Sequence, residues 1–263
     1  IMQNRTSVII IIFILLAGTL FISNNAISLW DQDEAAYAGF GKRMIETGDY
    51  TTPDFTWSEV HRKPPLHFWL IATAYKIFGI NEFAVRFFSS LSVFLDYLLI
   101  FFYGKRRFGS KKALIASIVL GTSFFIPMLG KIAVTDGVLL LFHTLAALSL
   151  IEVLHTKSFF QVIVFWVAIA LGMLVKGPPI LIFAGFMIIL LFIFHPNRKN
   201  LFRLHPWFFG LLALIPLYLW GNAAWQRDNG EFIKWLIDWY ILKRCLLYTS
   251  DAADEEDSVD LGG

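Results

Sequence analysis

The chain has 263 residues, of which 57% are hydrophobic, 17% aromatic and only 16% charged, against about 25% charged in a soluble domain. Long apolar runs with so few charges need a bilayer around them. That excludes a soluble enzyme, a disordered chain and a disulfide-rich secreted domain. The formal net charge is +2, but one atypical stretch at the C-terminus sets that value.

Residues 245–263 read CLLYTSDAADEEDSVDLGG and hold six of the 20 acids, the single cysteine and no Lys or Arg. The stretch reads as the translation of a sequencing-library adapter and is set aside as a scar; a genuine acidic tail is the bland alternative. Without it the net charge becomes +8 and no thiol remains for disulfide or redox chemistry. The chain opens at Ile1, so a fragment is expected, with Met2 as a candidate start. Residues 1–244 are therefore treated as the N-terminal part of one transmembrane domain and 245–263 as a non-native tail.

In chain order, the first apolar stretch, residues 7–27, predicts a membrane-crossing helix. A polar loop over about 28–82 follows. Within it, Asp31 and Glu34 have the spacing of a capping box, and Tyr37, Phe40, Met44 and Ile45 fall on one helical face. Gly48 supplies the stop. The spacing predicts an amphipathic helix over 31–48 lying on the outer leaflet. Capping accounts for Asp31 and Glu34. Asp33 has either a dipole-complementing or a chemical part.

His61-Arg62-Lys63-Pro64-Pro65 comes next. Two prolines stiffen the backbone, so the preceding Arg and Lys are held in a fixed presentation. Such a pair suits a phosphate, or alternatively anchors the chain to anionic headgroups. The apolar run 66–78 has 13 residues, about 20 Å of helix against the ~30 Å hydrocarbon core. It predicts an interfacial or re-entrant helix.

Six further stretches are read as spans: 83–103, 113–129, 137–154, 159–175, 179–194 and 207–225. With seven spans and the N-terminus inside, Arg5, Lys105, Arg106, Arg107, Lys111, Lys112, Lys157, Arg198, Lys199 and Arg203 all fall in inner loops. This follows the positive-inside rule. The same register brings Asp33-Glu34, Arg62-Lys63, Asp136 and Lys176-Gly177-Pro178 to the outer face. Thr135-Asp136-Gly137 is also explained by capping of the helix it opens, and Lys176 by snorkelling. Asp96 lies inside a span without a visible partner, where interhelical hydrogen bonding is expected; Glu152 and His143 read as structural. Trp30, Trp57, Trp69, Trp207 and Trp225 read as an aromatic belt. There is no phosphate-binding glycine loop, no His/Cys metal constellation and no internal repeat.

The order Asp33-Glu34, Gly48-Asp49-Tyr50, Lys63-Pro64-Pro65-Leu66, Asn81-Glu82-Phe83-Ala84-Val85-Arg86 and Lys176-Gly177-Pro178 resembles the bacterial GT-C glycosyltransferases. Among these it is similar to the lipid-linked-sugar enzymes related to protein O-mannosyltransferases and to the aminoarabinose transferase of lipid A. The resemblance covers about residues 28–244, the N-terminal half of such an enzyme, and alone the chain is expected to be inactive. It implies an all-α polytopic fold of about seven transmembrane helices in a bacterial cytoplasmic (inner) membrane, with the active site on the outer, periplasmic face.

The resemblance further implies transfer of a sugar from a polyprenyl-phosphate donor to a hydroxyl or phosphate on a glycolipid, polysaccharide or protein acceptor. It places Asp33, Glu34 and Asp136 as catalytic acids, and Lys63, Arg62 and Lys176 at the donor phosphate. Direct displacement with inversion is expected. Many relatives carry Glu where this chain has Arg62, so metal binding tied to that acid is not carried over. No cofactor is required, a divalent cation stays open, and no nucleic-acid partner is expected. The rival class is a transporter or flippase for a lipid-linked sugar, which should place its ionisable groups near mid-bilayer.

Overall fold

A computed structural model of the chain describes residues 2–30, 32–52 and 62–238, with side chains from residue 6 onward. The readings on Asp31, Trp57, His61 and residues 245–263 lie outside the described residues. The architecture is all-α: α1 (Met2–Phe21), α2 (Gln32–Thr47), α3 (Leu66–Phe78), α4 (Glu82–Phe108), α5 (Ser110–Thr122), α6 (Phe125–Lys131), α7 (Thr135–His155), α8 (Phe159–Lys176), α9 (Pro179–Phe194), a 3-10 turn (Arg198–Leu204), α10 (Pro206–Asp228) and α11 (Glu231–Ile237).

Every apolar stretch read as a span is mainly helical, the first ending at Phe21 rather than at residue 27, but not every one is a straight, full crossing. By length and composition α4, α7, α8 and α10 can span a bilayer; α5 and α6 together make a fifth candidate bent by 64°. The stretch over 113–129, expected as one helix, is thus a correction. Pro127 has no N–H to give the Ser123 carbonyl, and Ser123 turns extended with ψ 155°. The helix breaks there. The apolar parts of α1 (Thr6–Phe21) and α9 (Pro179–Phe194) are shorter than a full crossing.

α4 is the hub of the first half and packs on α1, α3, α5, α6 and α7; α7 and α8 pair closely in the second. Small and polar residues let these helices approach, as in membrane interfaces generally. The Ser90 hydroxyl accepts from Asn24 Nδ2 at 2.8 Å and donates to the Gly130 carbonyl at 2.6 Å. Gly137 permits a close approach of backbone: a Cβ there would sit 2.7 Å from the Leu129 carbonyl oxygen.

α2 departs from expectation in one respect. Tyr37, Phe40 and Met44 form its apolar face as predicted, yet they are buried against Phe68, Ile71, Ala72 and Tyr75 of α3 rather than laid on lipid. The 13-residue α3 has the bounds predicted. It lies between α2 and α4 as a protein-covered layer. Gly48, at φ 72°, ends the motif where a side chain would be strained.

The ends of the bundle carry opposite kinds of chemistry. At one end lie Lys105–Lys112, Lys157 and the 3-10 turn with its basic residues. There Arg107 pairs with the buried Glu152 at 2.9 Å. At the other end lie α2, α3, the start of α7 and the α8–α9 turn.

Candidate functional site at the motif-bearing end

The best-defined feature at this end is a knot around Glu34. The residue is fully buried on the first turn of α2. Its Oε1 accepts from Arg86 Nε (2.8 Å) and from the Ala133 backbone N–H (2.8 Å). Its Oε2 accepts from Arg86 Nη2 (2.9 Å) and from the Trp30 backbone N–H (2.7 Å). All four lone-pair directions of the carboxylate are taken. Burial pushes its pKa up, but the Arg86 guanidinium and the two backbone donors outweigh that and hold it below the usual carboxylate range.

Arg86 uses its other N–H groups on the carbonyls of Asn24, Ile27 and Ser28, at 2.8, 2.8 and 3.0 Å. One ion pair therefore ties the end of α1, the start of α2, the start of α4 and the α6–α7 junction. Glu34, expected among the catalytic acids, makes the bonds of a structural tie, and in this arrangement none of its lone pairs is left over for an acceptor's proton. It reaches back to the N–H of Trp30, ahead of the helix.

Asp33, on the same turn, is half-buried and points along a different side of α2 from Glu34. Lys63 is buried at the head of α3, and Pro64 and Pro65 are buried with it. Arg62 is half-buried, and its guanidinium carbon lies 5.0 Å from the Phe232 ring and 5.4 Å from the Trp235 ring of α11.

His67 is the second residue of α3. Its Nε2 is 3.1 Å from the Ala133 carbonyl and its ring meets Tyr37 edge-on at 5.6 Å. Complete burial lowers its pKa to about 4, against the smaller upward pulls of the Ala133 carbonyl and Asp136. The imidazole is neutral at ordinary pH, with Nε2 as donor.

Asp136 and Lys176 are brought together. Lys176 Nζ is 2.7 Å from Asp136 Oδ1, across 40 residues of sequence, with 30% of the lysine and 44% of the aspartate side chain exposed. The capping expected of Thr135-Asp136-Gly137 is not what is found. Val134 is the N-cap of α7 and makes no side-chain cap. Asp136 instead turns to the end of α8, where Gly177 at φ 79° ends the helix just past the lysine and Pro178-Pro179 starts α9.

The Gly48-Asp49-Tyr50 stretch serves as a clip. Asp49 Oδ1 accepts from the Thr51 N–H at 2.9 Å and its hydroxyl at 2.7 Å, Trp69 Nε1 donates to the Tyr50 carbonyl at 2.7 Å, and Trp220 Nε1 to that of Thr51 at 3.1 Å. Trp69, read as a belt residue, is thus bonded inside the protein, whereas Trp30 and Trp207 are exposed as a belt residue would be. Asp96 is buried on α4, beside Thr144 of α7. Thr144 is its side-chain partner across the α4–α7 interface, as the expected interhelical bonding requires, although neither carboxylate oxygen has a bond of ideal geometry.

The residues that sequence reasoning passed over are Arg86 and His67. An Arg one turn into an apolar helix demands an acid, and Glu34 was the acid already in view. Among the described residues, no group of three or more His, Cys, Asp or Glu side chains could hold a metal ion.

A family model described as dolichyl-phosphate-mannose-protein mannosyltransferase matches residues 62–220, more than half of the chain. The undecaprenyl phosphate-alpha-4-amino-4-deoxy-L-arabinose arabinosyl transferase of Aeromonas hydrophila is 29% identical over 219 residues, covering 79% of this chain and 39% of its own length. The protein of the same name from Edwardsiella ictaluri is 34% identical over 122 residues, 46% of this chain and 22% of its own. Crystal structures of ArnT from Cupriavidus metallidurans superpose with TM-scores of 0.78 in the apo state and 0.77 bound to undecaprenyl phosphate. Identities are 18% and 20%, with 91% and 88% of this chain and 45% and 43% of the other covered. The chain spans less than half the length of these relatives, and it shares their fold: a polytopic, all-α membrane protein.

Proposed function

This chain belongs to the dolichyl-phosphate-mannose-protein mannosyltransferase family of GT-C glycosyltransferases, and on that premise we propose that it is part of a membrane enzyme moving a sugar from a polyprenyl-phosphate donor to a hydroxyl or phosphate on the acceptor. The reaction takes place on the outer face of the bacterial inner membrane. A donor of undecaprenyl-phosphate type is supported by the name shared among the curated relatives and by the ligand of the similar ArnT structure. The acceptor is a glycolipid, a polysaccharide or a protein.

One observation carries the reading. Asp136 and Lys176 meet at the end of the bundle that also bears Arg62, Lys63 and the acidic first turn of α2. Glycosyl transfer from a lipid phosphate needs a base for the incoming nucleophile and cations at the departing phosphate. We assign Asp33 as the base. Lys63, Arg62 and Lys176 stabilise the leaving phosphate, and Asp136 holds Lys176 in place until that phosphate arrives. Glu34 has no chemical step; it fixes the turn from which Asp33 projects. The sugar carbon is attacked directly, so its configuration inverts.

The test is Asp33→Asn, assayed for sugar transfer and for donor binding in membranes that carry the protein. Transfer should fall about 10²- to 10⁴-fold, the usual share of a positioned general base, with donor binding retained. Unchanged transfer removes Asp33 from the role. A trapped glycosyl-enzyme, or a product keeping the donor's anomeric configuration, overturns direct displacement.

A further inference from the structure

We propose that α11 is a positioning element of the donor-phosphate site, with Phe232 and Trp235 forming an aromatic platform that aims the Arg62 guanidinium. The inference rests on the reading that Arg62 and Lys63 meet a lipid phosphate. It adds two residues from far along the chain that motif order does not reveal.

The geometry is specific. Both rings lie within cation–π range of Arg62, at 5.0 and 5.4 Å. A guanidinium on aromatic faces uses its flat side, which leaves the N–H edge in plane for bidentate bonding to phosphate oxygens. Lysine cannot be aimed in this way. An arginine in the place of the family's acid is therefore given a fixed direction instead of hanging as a loose surface cation.

The Phe232 half of the platform is packed in place. Phe232 is buried with Leu174 and Ala224, and Trp220 meets it edge-on at 6.1 Å. Trp220 is in turn bonded to the Thr51 carbonyl. The entry to α11 is set by Asp228, whose Oδ1 accepts from the Gly230 N–H at 3.0 Å and whose Oδ2 accepts from the Phe232 N–H at 2.8 Å. Gly230 makes the sharp turn at φ 83°. From the other side, Pro64 and Pro65 stiffen the backbone that carries Arg62. Arg62 is thus fixed at its backbone by one segment and at its head by another, some 170 residues later in the chain.

The experiment measures undecaprenyl phosphate binding to the protein in nanodiscs, for the unaltered protein and for Arg62→Gln, Lys63→Gln, Trp235→Leu, Phe232→Leu and the double variant Arg62→Gln with Trp235→Leu. Arg62→Gln should weaken binding roughly 10-fold or more. Trp235→Leu should weaken it about 2- to 5-fold, and add nothing in the Arg62→Gln background. Phe232 is part of a packed cluster, so if Phe232→Leu does not fold, Trp235→Leu carries the test alone.

Three results overturn the claim in distinguishable ways. If Arg62→Gln weakens binding while Trp235→Leu does not, the platform is structural and the phosphate reading stands. If Trp235→Leu has the same effect with and without Arg62, it acts elsewhere. If the protein does not bind the lipid phosphate, or neither Arg62→Gln nor Lys63→Gln alters binding, the phosphate reading itself falls.

Discussion

Two ion pairs at the same end of the bundle could hardly be more different. Glu34–Arg86 is sealed, with side chains 0% and 3% exposed, and every carboxylate lone pair and most guanidinium donors are bonded inside the protein. Asp136–Lys176 is open, with one short contact and 30% or more of each side chain reachable. A charge that must hold a scaffold is saturated, because burying it unpaired would cost far more than the pair returns. A charge that must meet a ligand keeps spare bonding capacity. Sequence ranks Glu34, Asp136 and Lys176 alike; only burial and the count of filled lone pairs sort them.

The largest effect expected from this contrast is on stability at the sealed pair. Glu34→Gln or Arg86→Gln leaves a buried charge with no counterion and should destabilise the protein by about 3–5 kcal/mol, seen as loss of folded protein or a large drop in melting temperature. Survival of either variant with a normal melt would erase the distinction.

Acid provides the next effect. His67 titrates at 6.5 in an unfolded chain but only at about 4 in the fold, so the unfolded state binds the extra proton between those values. Its contribution is complete above about pH 6.5 and lost as pH falls towards 4, on the order of 3 kcal/mol in total. Melts at stepped pH should show that slope, and His67→Gln should flatten it. Glu34, with its lowered pKa, contributes above about pH 4.5 and loses its share only below that, so the two steps separate.

A smaller change, about 1 kcal/mol, is expected from Trp220→Phe, which removes the donor to the Thr51 carbonyl and should lower the melt modestly. Smallest is the open pair. Asp136→Asn should alter stability by no more than about 1 kcal/mol while impairing sugar transfer. A large melt shift there would make Asp136–Lys176 a second structural tie.

Much of the fold was legible because membranes impose length and hydropathy so strictly. The bounds of α3 and the apolar face of α2 follow from counting. What covers that face does not, because lipid and a neighbouring helix look equally apolar to Tyr37, Phe40 and Met44. The break in the third crossing was encoded by Pro127 but hidden inside an unbroken apolar run. At the site, Asp136 and Lys176 were identified separately, while their meeting depends on how α7 packs on α8. Glu34 invited a local explanation, the capping box, and its tie across the bundle stayed hidden because two of its partners lie 52 and 99 residues away.

Ala133 has a consequence of a different kind. Its N–H is given to Glu34 and its carbonyl is bonded to His67, so the junction of α1, α2, α3, α4 and α7 passes through one residue, by the two peptide groups that flank it, with a plain methyl side chain. Family comparison cannot flag such a position by its side-chain chemistry, since any residue other than proline that is small enough for the space preserves both bonds. The architecture around the site can therefore persist while the letters at its centre drift. Surveys that weigh only charged or aromatic columns will overlook the place where the assembly is joined.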